Sequence, residues 1–347
     1  MPTFNDARVR QTNDQKPNPT GAYVLYWSQA YRRLNRNHAL DYALHWASLL
    51  KKPLVVFEGL RLDYPWASAR FHAFFLEGMR ENATTAQKLG INYWPFVETP
   101  QQPARGLLRK LSDKACLVVT DDYPAFVVPQ QIANLARKIS VPLSAIDGNS
   151  MVPLQLLGLA VSAAAHLRPR LHRLFAEAWQ QRAQAEPVFP KETRTTIVPP
   201  FEIWSSTTDL STFLKQLPLD HTVAPLTNTH GGVACGKAVL RKFLLEKLPR
   251  YSTARNDPDD PQRNAASGLS AHLRNGHISI QECVEGALTQ AGPWAPTRLD
   301  ESNRGKREGF FHTDANVNSF LDEALTWRDV GYHWHYCRNV TKGPPVV

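Results

Sequence analysis

Cysteine is scarce in this chain: four in 347 residues, at Cys116, Cys235, Cys283 and Cys337, with no two of them spaced as a Cys-x-x-Cys pair. That spacing removes the usual sequence sign of a structural zinc site or a redox dithiol, and free thiols packing as small hydrophobes are expected. No apolar run approaches the roughly 20 residues that a membrane span needs. The first ten residues hold no apolar core of the kind a secretory signal requires, so a cytosolic protein is expected. Internal repeats and low-complexity tracts are also missing.

What is present places the chain among soluble globular proteins, with 43% hydrophobic and 20% charged residues. Its length allows two domains, each with its own core. The formal net charge of +9 points to a polyanionic partner without specifying one, because phosphate polymers attract clustered Lys and Arg. A soluble enzyme that happens to be basic is the alternative.

Residues 1–20 are polar and contain Pro17 and Pro19, which reads as a flexible arm. Residues 22–27 form a short apolar run with β-branched and aromatic members, as expected of a strand buried on both faces. Apolar residues then recur at helical spacing over 37–50, Pro53 closes that helix, and 54–57 starts a second strand. A long amphipathic helix over 68–89 ends at Gly90. Further strands at 91–96, 116–120 and 141–146 alternate with helices at 103–111 and 130–139. The pattern predicts an α/β domain over 21–150, a doubly wound, five-stranded parallel sheet with ligands beyond the carboxyl ends of its strands. Residues 151–230 read as a helical and Pro-rich connector. Over 231–347 the strand signal disappears and helices at 237–248, 280–290 and 318–330 predict an all-α part.

Two segments invite chemistry. Ser267-Gly268-Leu269-Ser270 follows a polar, turn-rich run over 256–264 and precedes a segment with helical character. Small hydroxyl residues beside a glycine expose N–H and O–H groups suited to a phosphate; a plain helix cap is the alternative. Glu323 and Trp327 are four residues apart, on one helix face, with Arg328 adjacent. A carboxylate beside an indole suits a flat base, which the ring stacks on while the carboxylate accepts from base N–H groups. The structural alternative puts Trp327 in the core with Glu323 and Arg328 on a solvated face. His333 and His335 have no partners at ligand spacing, Asp121 and Asp122 read as a turn cap, and the arginines of 168–173 as a solvated helix face with Arg168 and Arg170 within reach of a phosphate.

These segments stand in a series of blocks. In order they are Gly21 to Trp27 with Asn35 to Leu40, Phe71 to Gly78, Val118 to Pro124, Ile146 to Asn149, Gly231-Gly232, Tyr251 with Arg255 to Pro258, Ser267 to Ser279, and Phe320 to Arg328. Together they resemble the class II cyclobutane pyrimidine dimer photolyases of the photolyase/cryptochrome family. The resemblance implies a carbon–carbon lyase that repairs pyrimidine dimers in DNA by light-driven electron transfer from reduced FAD. It implies that Tyr251 and the turn Ser267, Gly268, Leu269, Ser270 hold the flavin's phosphates and ribityl chain. It further implies that Glu323 and Trp327 bind the flipped-out dimer, that Arg328 lines the flavin cavity, and that the N-terminal domain houses a second, antenna chromophore. A monomer is expected. Ala271 departs from the family, which usually has proline there, and so do Arg274-Asn275, where an apolar pair is expected. The final residues, 340–347, do not resemble the family, so the flavin-binding helical domain is expected to be incomplete and repair by this chain weak or absent. A cryptochrome-type flavin photoreceptor and a non-catalytic DNA-binding remnant are the other readings.

Overall fold

A computed structural model describes residues 6–257 and 264–341. Residues 258–263 of the turn-rich run, including Pro258 of its block, and the tail 342–347 lie outside the described residues. Strands β1 (Val9–Gln11), β2 (Tyr23–Ser28), β3 (Leu54–Leu60), β4 (Asn92–Val97), β5 (Ala115–Asp121) and β6 (Leu143–Ile146) form one sheet in the order β1-β6-β5-β2-β3-β4. The five strands from β2 to β6 are mutually parallel. The sheet therefore has six strands and not five: β1 adds antiparallel to β6, with Val9 opposite Ile146.

That extra strand corrects the expectation of a flexible arm for residues 6–20. Arg8 is 2% exposed and donates to the carbonyls of Asp147, Ser150 and Met151. Three residues are too few to show period-2 alternation, and the polar composition that suggested a loose arm is that of a side chain satisfied by buried carbonyls.

The crossovers end where the sequence places them. Helix α1 (His38–Leu50) starts at Asn37, whose side chain accepts from the N–H groups of Ala39 and Leu40. Helix α2 (Ala69–Leu89) starts at Ser68, which accepts from Phe71, and closes on Gly90 at φ +67°, a left-handed conformation that glycine adopts without steric cost. Helices α3 (Leu107–Ser112) and α4 (Val128–Ala136) complete the set.

Chain order reverses between β2 and β5, the crevice where such sheets commonly bind ligands. Here the chain fills that crevice itself. Asp121, fully buried at the end of β5, accepts from the backbone N–H groups of Gln29, Ala30 and Tyr31 and from the Tyr26 hydroxyl. Burial pushes its carboxyl upward while the four donors oppose the shift.

The rest is helical: α5 (Ala164–Gln180), α6 (Leu210–Gln216), α7 (Val233–Lys242), α8 (Tyr251–Ala254), α9 (Ser270–Arg274), α10 (Ile280–Thr289), α11 (Ala315–Leu321) and α12 (Arg328–His335). A π-helical stretch, Asp322–Trp327, joins α11 to α12. Phe243, Tyr251, Leu269, Cys283, Val284, Phe320 and Leu325 share one buried cluster. The Pro-rich stretch after α5 is more than a strap, since Trp204, Leu214 and Leu217 bury against Leu76 and Met79 of α2.

The helical part docks on the carboxyl edge of the sheet. Gly276, at φ +73°, lies so close to the β2–α1 loop that a Cβ there would sit 1.8 Å from the Ala30 carbonyl oxygen. Arg33 donates to the Gly276 carbonyl at 2.9 Å, and Ser150 to Asp329 at 2.6 Å.

Candidate functional site

Tyr251 opens α8 and is packed edge-on between Phe243 and Phe320, each with ring centroids at 5.6 Å. Burial, with a smaller contribution from the charge of Glu323, pushes its hydroxyl up to about 12, against the opposing charge of Arg255. The Arg255 guanidinium lies 5.5 Å from the Tyr251 ring centroid. It donates to Ser319 at 2.8 Å and to Glu323 Oε1 at 3.2 Å. Arg255 thus ties α8 to the start of the π-helical stretch and fixes the direction of the Glu323 carboxylate.

That carboxylate remains 37% exposed and Trp327 is 53% exposed. The stretch between them is wound with i→i+5 bonds, so residues four apart stay near one face. The structural alternative, with Trp327 in the core, is not what the chain does. An exposed indole stands beside an oriented, solvent-facing carboxylate.

The Ser267 to Ser270 turn runs back along α8. The Ala265 N–H donates to the Ala254 carbonyl at 3.2 Å, and Lys247 Nζ donates to the Ala266 carbonyl at 3.0 Å. Leu269 is 1% exposed and plugs the helical core, whereas Gly268, at φ +71°, and Ser270 face solvent. The Ser267 hydroxyl accepts from the Leu269 N–H at 3.4 Å, just outside α9, and Leu269 at the cap position offers no side-chain oxygen. The plain helix-cap reading therefore fails for both serines. Tyr251, Leu269 and Glu323 come together through this shared core and through Arg255.

Arg328 points elsewhere. It donates to the Asn149 carbonyl at 2.5 Å and lies 4.4 Å from the Tyr332 ring, at the junction with the sheet. There it lines a cavity of about 10 Å³ with Tyr31, Asn149, Arg274 and Tyr332, room for a single water at most. An open cleft of about 570 Å³ is lined by Lys306, Arg307, Thr313 and Asn318. Neither space is lined by Tyr251, the 267–270 turn, Glu323 or Trp327. The hydroxyls and the glycine of that turn fit the phosphate end of a dinucleotide.

Arg255 stands in one of the blocks read from the sequence, but no role was given to it there. Its i,i+4 spacing from Tyr251 was a signal, but its partner Glu323 is 68 residues away and no local pattern announces it. Arg168, read as solvated, instead makes two bonds to Asp322, at 2.7 and 3.1 Å. Asp121 does cap a turn, the one after β2.

No family model matches the chain. A deoxyribodipyrimidine photo-lyase of Methanothermobacter thermautotrophicus is 29% identical over 273 residues, covering 78% of this chain and 57% of that protein. A Synechocystis cryptochrome superposes with a TM-score of 0.58 at 14% identity, over 91% of this chain and 61% of that one. An archaeal photolyase from Sulfolobus tokodaii with two FAD molecules gives 0.53 at 17% identity, over 91% and 60%. Sequence and fold support the photolyase/cryptochrome family. The structural likeness at these identities is one of fold, and the α/β domain with its mostly parallel sheet matches the N-terminal domain of photolyases. The chain spans about half the length of the curated photolyase relatives it matches, 51% to 57%. Among the described residues no helix is long and apolar enough to cross a membrane.

Proposed function

We propose that the Glu323–Trp327 face binds a flipped-out pyrimidine dimer in DNA, and that the chain serves light-dependent dimer repair of the class II photolyase kind. The observation that carries this reading is the exposed Trp327 beside the Glu323 carboxylate that Arg255 orients. A stacked base gains roughly 1–3 kcal/mol on an aromatic ring. A dimer is already poorly stacked in the duplex, so extruding it costs less than extruding an intact base, and selectivity follows from that difference. Glu323 accepts from the N–H groups on the base edge and sets the orientation of the lesion against the ring.

In this reading Tyr251, Ser267, Gly268, Leu269 and Ser270 hold the phosphates and ribityl chain of FAD, while Arg328, which the resemblance put on the flavin cavity, is engaged at the junction with the sheet by the Asn149 carbonyl and takes no part. When bound, photoexcited reduced FAD would lend the dimer an electron that returns to the flavin once the ring has split, while the chain would supply position and field. Leu269 acts by anchoring the turn in the core, which leaves the exposed Gly268 backbone and Ser270 hydroxyl, and the proton of the Ser267 hydroxyl, to meet a phosphate. The domain over 21–150 carries the antenna chromophore, 151–230 connects, and 231–347 forms the flavin-binding part. The test is illumination with blue light of purified protein, reconstituted with FAD and photoreduced, in the presence of a dimer-containing oligonucleotide. Loss of the dimer in light and not in darkness supports the proposal. Flavin retention with no repair favours the photoreceptor reading, and neither retention nor repair defeats the flavin assignment.

A further inference from the structure

The amino edge of the sheet, opposite the edge on which the helical part docks, is basic and unpaired. Parallel strands bring every crossover helix back to that edge. Lys52 precedes β3, Lys114 precedes β5, and Lys138 lies between α4 and β6. Lys88 stands in the last turn of α2, where the chain turns into β4. The 13–18 segment crosses the same edge, with Asn13 bonded to the Ala136 and Val141 carbonyls and Asn18 to that of Cys116, and it carries Lys16 across with it. None of these five lysines forms an ion pair among the described residues. All are solvent-facing, Lys52 the least so. Asp14 and Asp113 are interleaved with them as opposing charges.

The carboxyl edge is the reverse. Glu58, Asp121, Asp122 and Asp147 are buried there and each is engaged by donors. Arg10 and Arg32 pair with Asp122 and Glu58 at that same edge, so its charges are matched, whereas the lysines of the amino edge have no such partners among the described residues. Cations near helix C-termini offset the helix dipole, and Lys88 does so. Lys52, Lys114 and Lys138 each directly follow the C-cap residue of α1, α3 or α4 and share that role, whereas Lys16 lies in a loop where no helix ends.

We propose that this amino edge is a second, sequence-independent surface for the backbone of duplex DNA, apart from the Trp327 face. Four steps between five parallel strands at about 4.8 Å span roughly 19 Å. One phosphate charge per about 1.7 Å of duplex axis places on the order of 11 charges along that length. Lysine is a compact, mobile point charge that meets phosphates without reading sequence, in contrast to the planar fork of arginine. The cations cross the edge of a sheet and do not line the polar face of an amphipathic helix, the form that basic membrane binders take. This surface stands whether or not the lesion reading does.

The test is a salt series of binding to an undamaged duplex of about 30 base pairs, where each phosphate contact contributes about 0.9 to the logarithmic slope. The combined variant Lys52→Gln, Lys114→Gln, Lys138→Gln should lower that slope by about 2–3, and Trp327→Ala should leave it unchanged. Loss of lesion preference in Trp327→Ala, with the slope unmoved in both variants, keeps the lesion reading and overturns this one. No binding of the undamaged duplex by the unmodified chain also overturns it. So does a combined variant that keeps duplex affinity but no longer binds phosphatidylserine vesicles, which assigns the edge to a membrane. Should the thermal midpoint of the combined variant fall, the pair Lys16→Gln, Lys138→Gln carries the same test, with an expected drop of about 1.8.

Discussion

Replacing Gly276 by alanine should loosen the contact that docks the helical part on the sheet. A non-glycine residue in the left-handed region costs roughly 1–2 kcal/mol. The added Cβ would lie 1.8 Å from the Ala30 carbonyl oxygen and 2.6 Å from the Arg32 nitrogen. Both are backbone atoms, so no side chain can swing aside, and overpacking of this kind adds about 1–3 kcal/mol. The two contributions together come to about 2–5 kcal/mol, before any loss of the bond from Arg33 to the Gly276 carbonyl. At about 2.1 cal/mol/K per residue, a chain of this length has an unfolding entropy near 0.7 kcal/mol/K, so the midpoint should fall by about 3–7 °C. Gly106 is the control. It has φ +78° and nothing within 4 Å of a built Cβ, so Gly106→Ala should lower the midpoint by no more than about 1–3 °C. Circular dichroism melts of the two variants decide the matter. Equal shifts would refute the claim that backbone contact at Gly276 holds the two parts together.

Other outcomes follow from the same structure. Asp121→Ala strands the buried N–H groups of Ala30 and Tyr31, the half-buried one of Gln29 and the Tyr26 hydroxyl, and at about 1–3 kcal/mol per unsatisfied group the folded protein should be recovered poorly or not at all; Asp121→Asn, which keeps an acceptor, should lose less in the same melt. Burial raises the Asp41 carboxyl to about 7 from 3.8, and its Oδ1 has no partner. Between those values the folded state holds the proton more tightly than the unfolded one, so this group's stabilisation is full below about pH 4 and is lost as pH rises to 7. Asp41→Asn should therefore flatten the fall in melting midpoint between pH 4 and 8, and an unchanged profile would count against the shift. Trp327→Ala should leave the midpoint within about 1 °C, since an exposed side chain contributes little to stability; a large drop would return Trp327 to a structural role.

Much of the sheet was legible because its signals are local. Asn37, Ser68 and Gly90 mark helix ends by their own side chains or φ angles, and the buried strands are short apolar runs. The sixth strand was not legible, since Val9–Gln11 is defined by its partner β6. Helix α6 was hidden by the prolines around it and is held by burial against α2. In the site, the spacing of Glu323 and Trp327 was visible but their exposure was not. Whether an indole at that spacing faces core or solvent depends on what packs behind the helix, here Phe320, Leu321 and Leu325. The Arg255 bond that orients Glu323, and the reach of Arg328 toward Asn149, join segments 68 and 179 residues apart, and no window of sequence contains both ends.

The central claim is that the Glu323–Trp327 face recognises a pyrimidine dimer. Its most direct test is the affinity of the purified chain for a short oligonucleotide with one thymine dimer against the same sequence undamaged, at fixed salt, with Trp327→Ala alongside. The account predicts a preference for the dimer of about fivefold to 150-fold, from stacking worth about 1–3 kcal/mol, that Trp327→Ala removes. Equal affinity of the unmodified chain for the two oligonucleotides would contradict it.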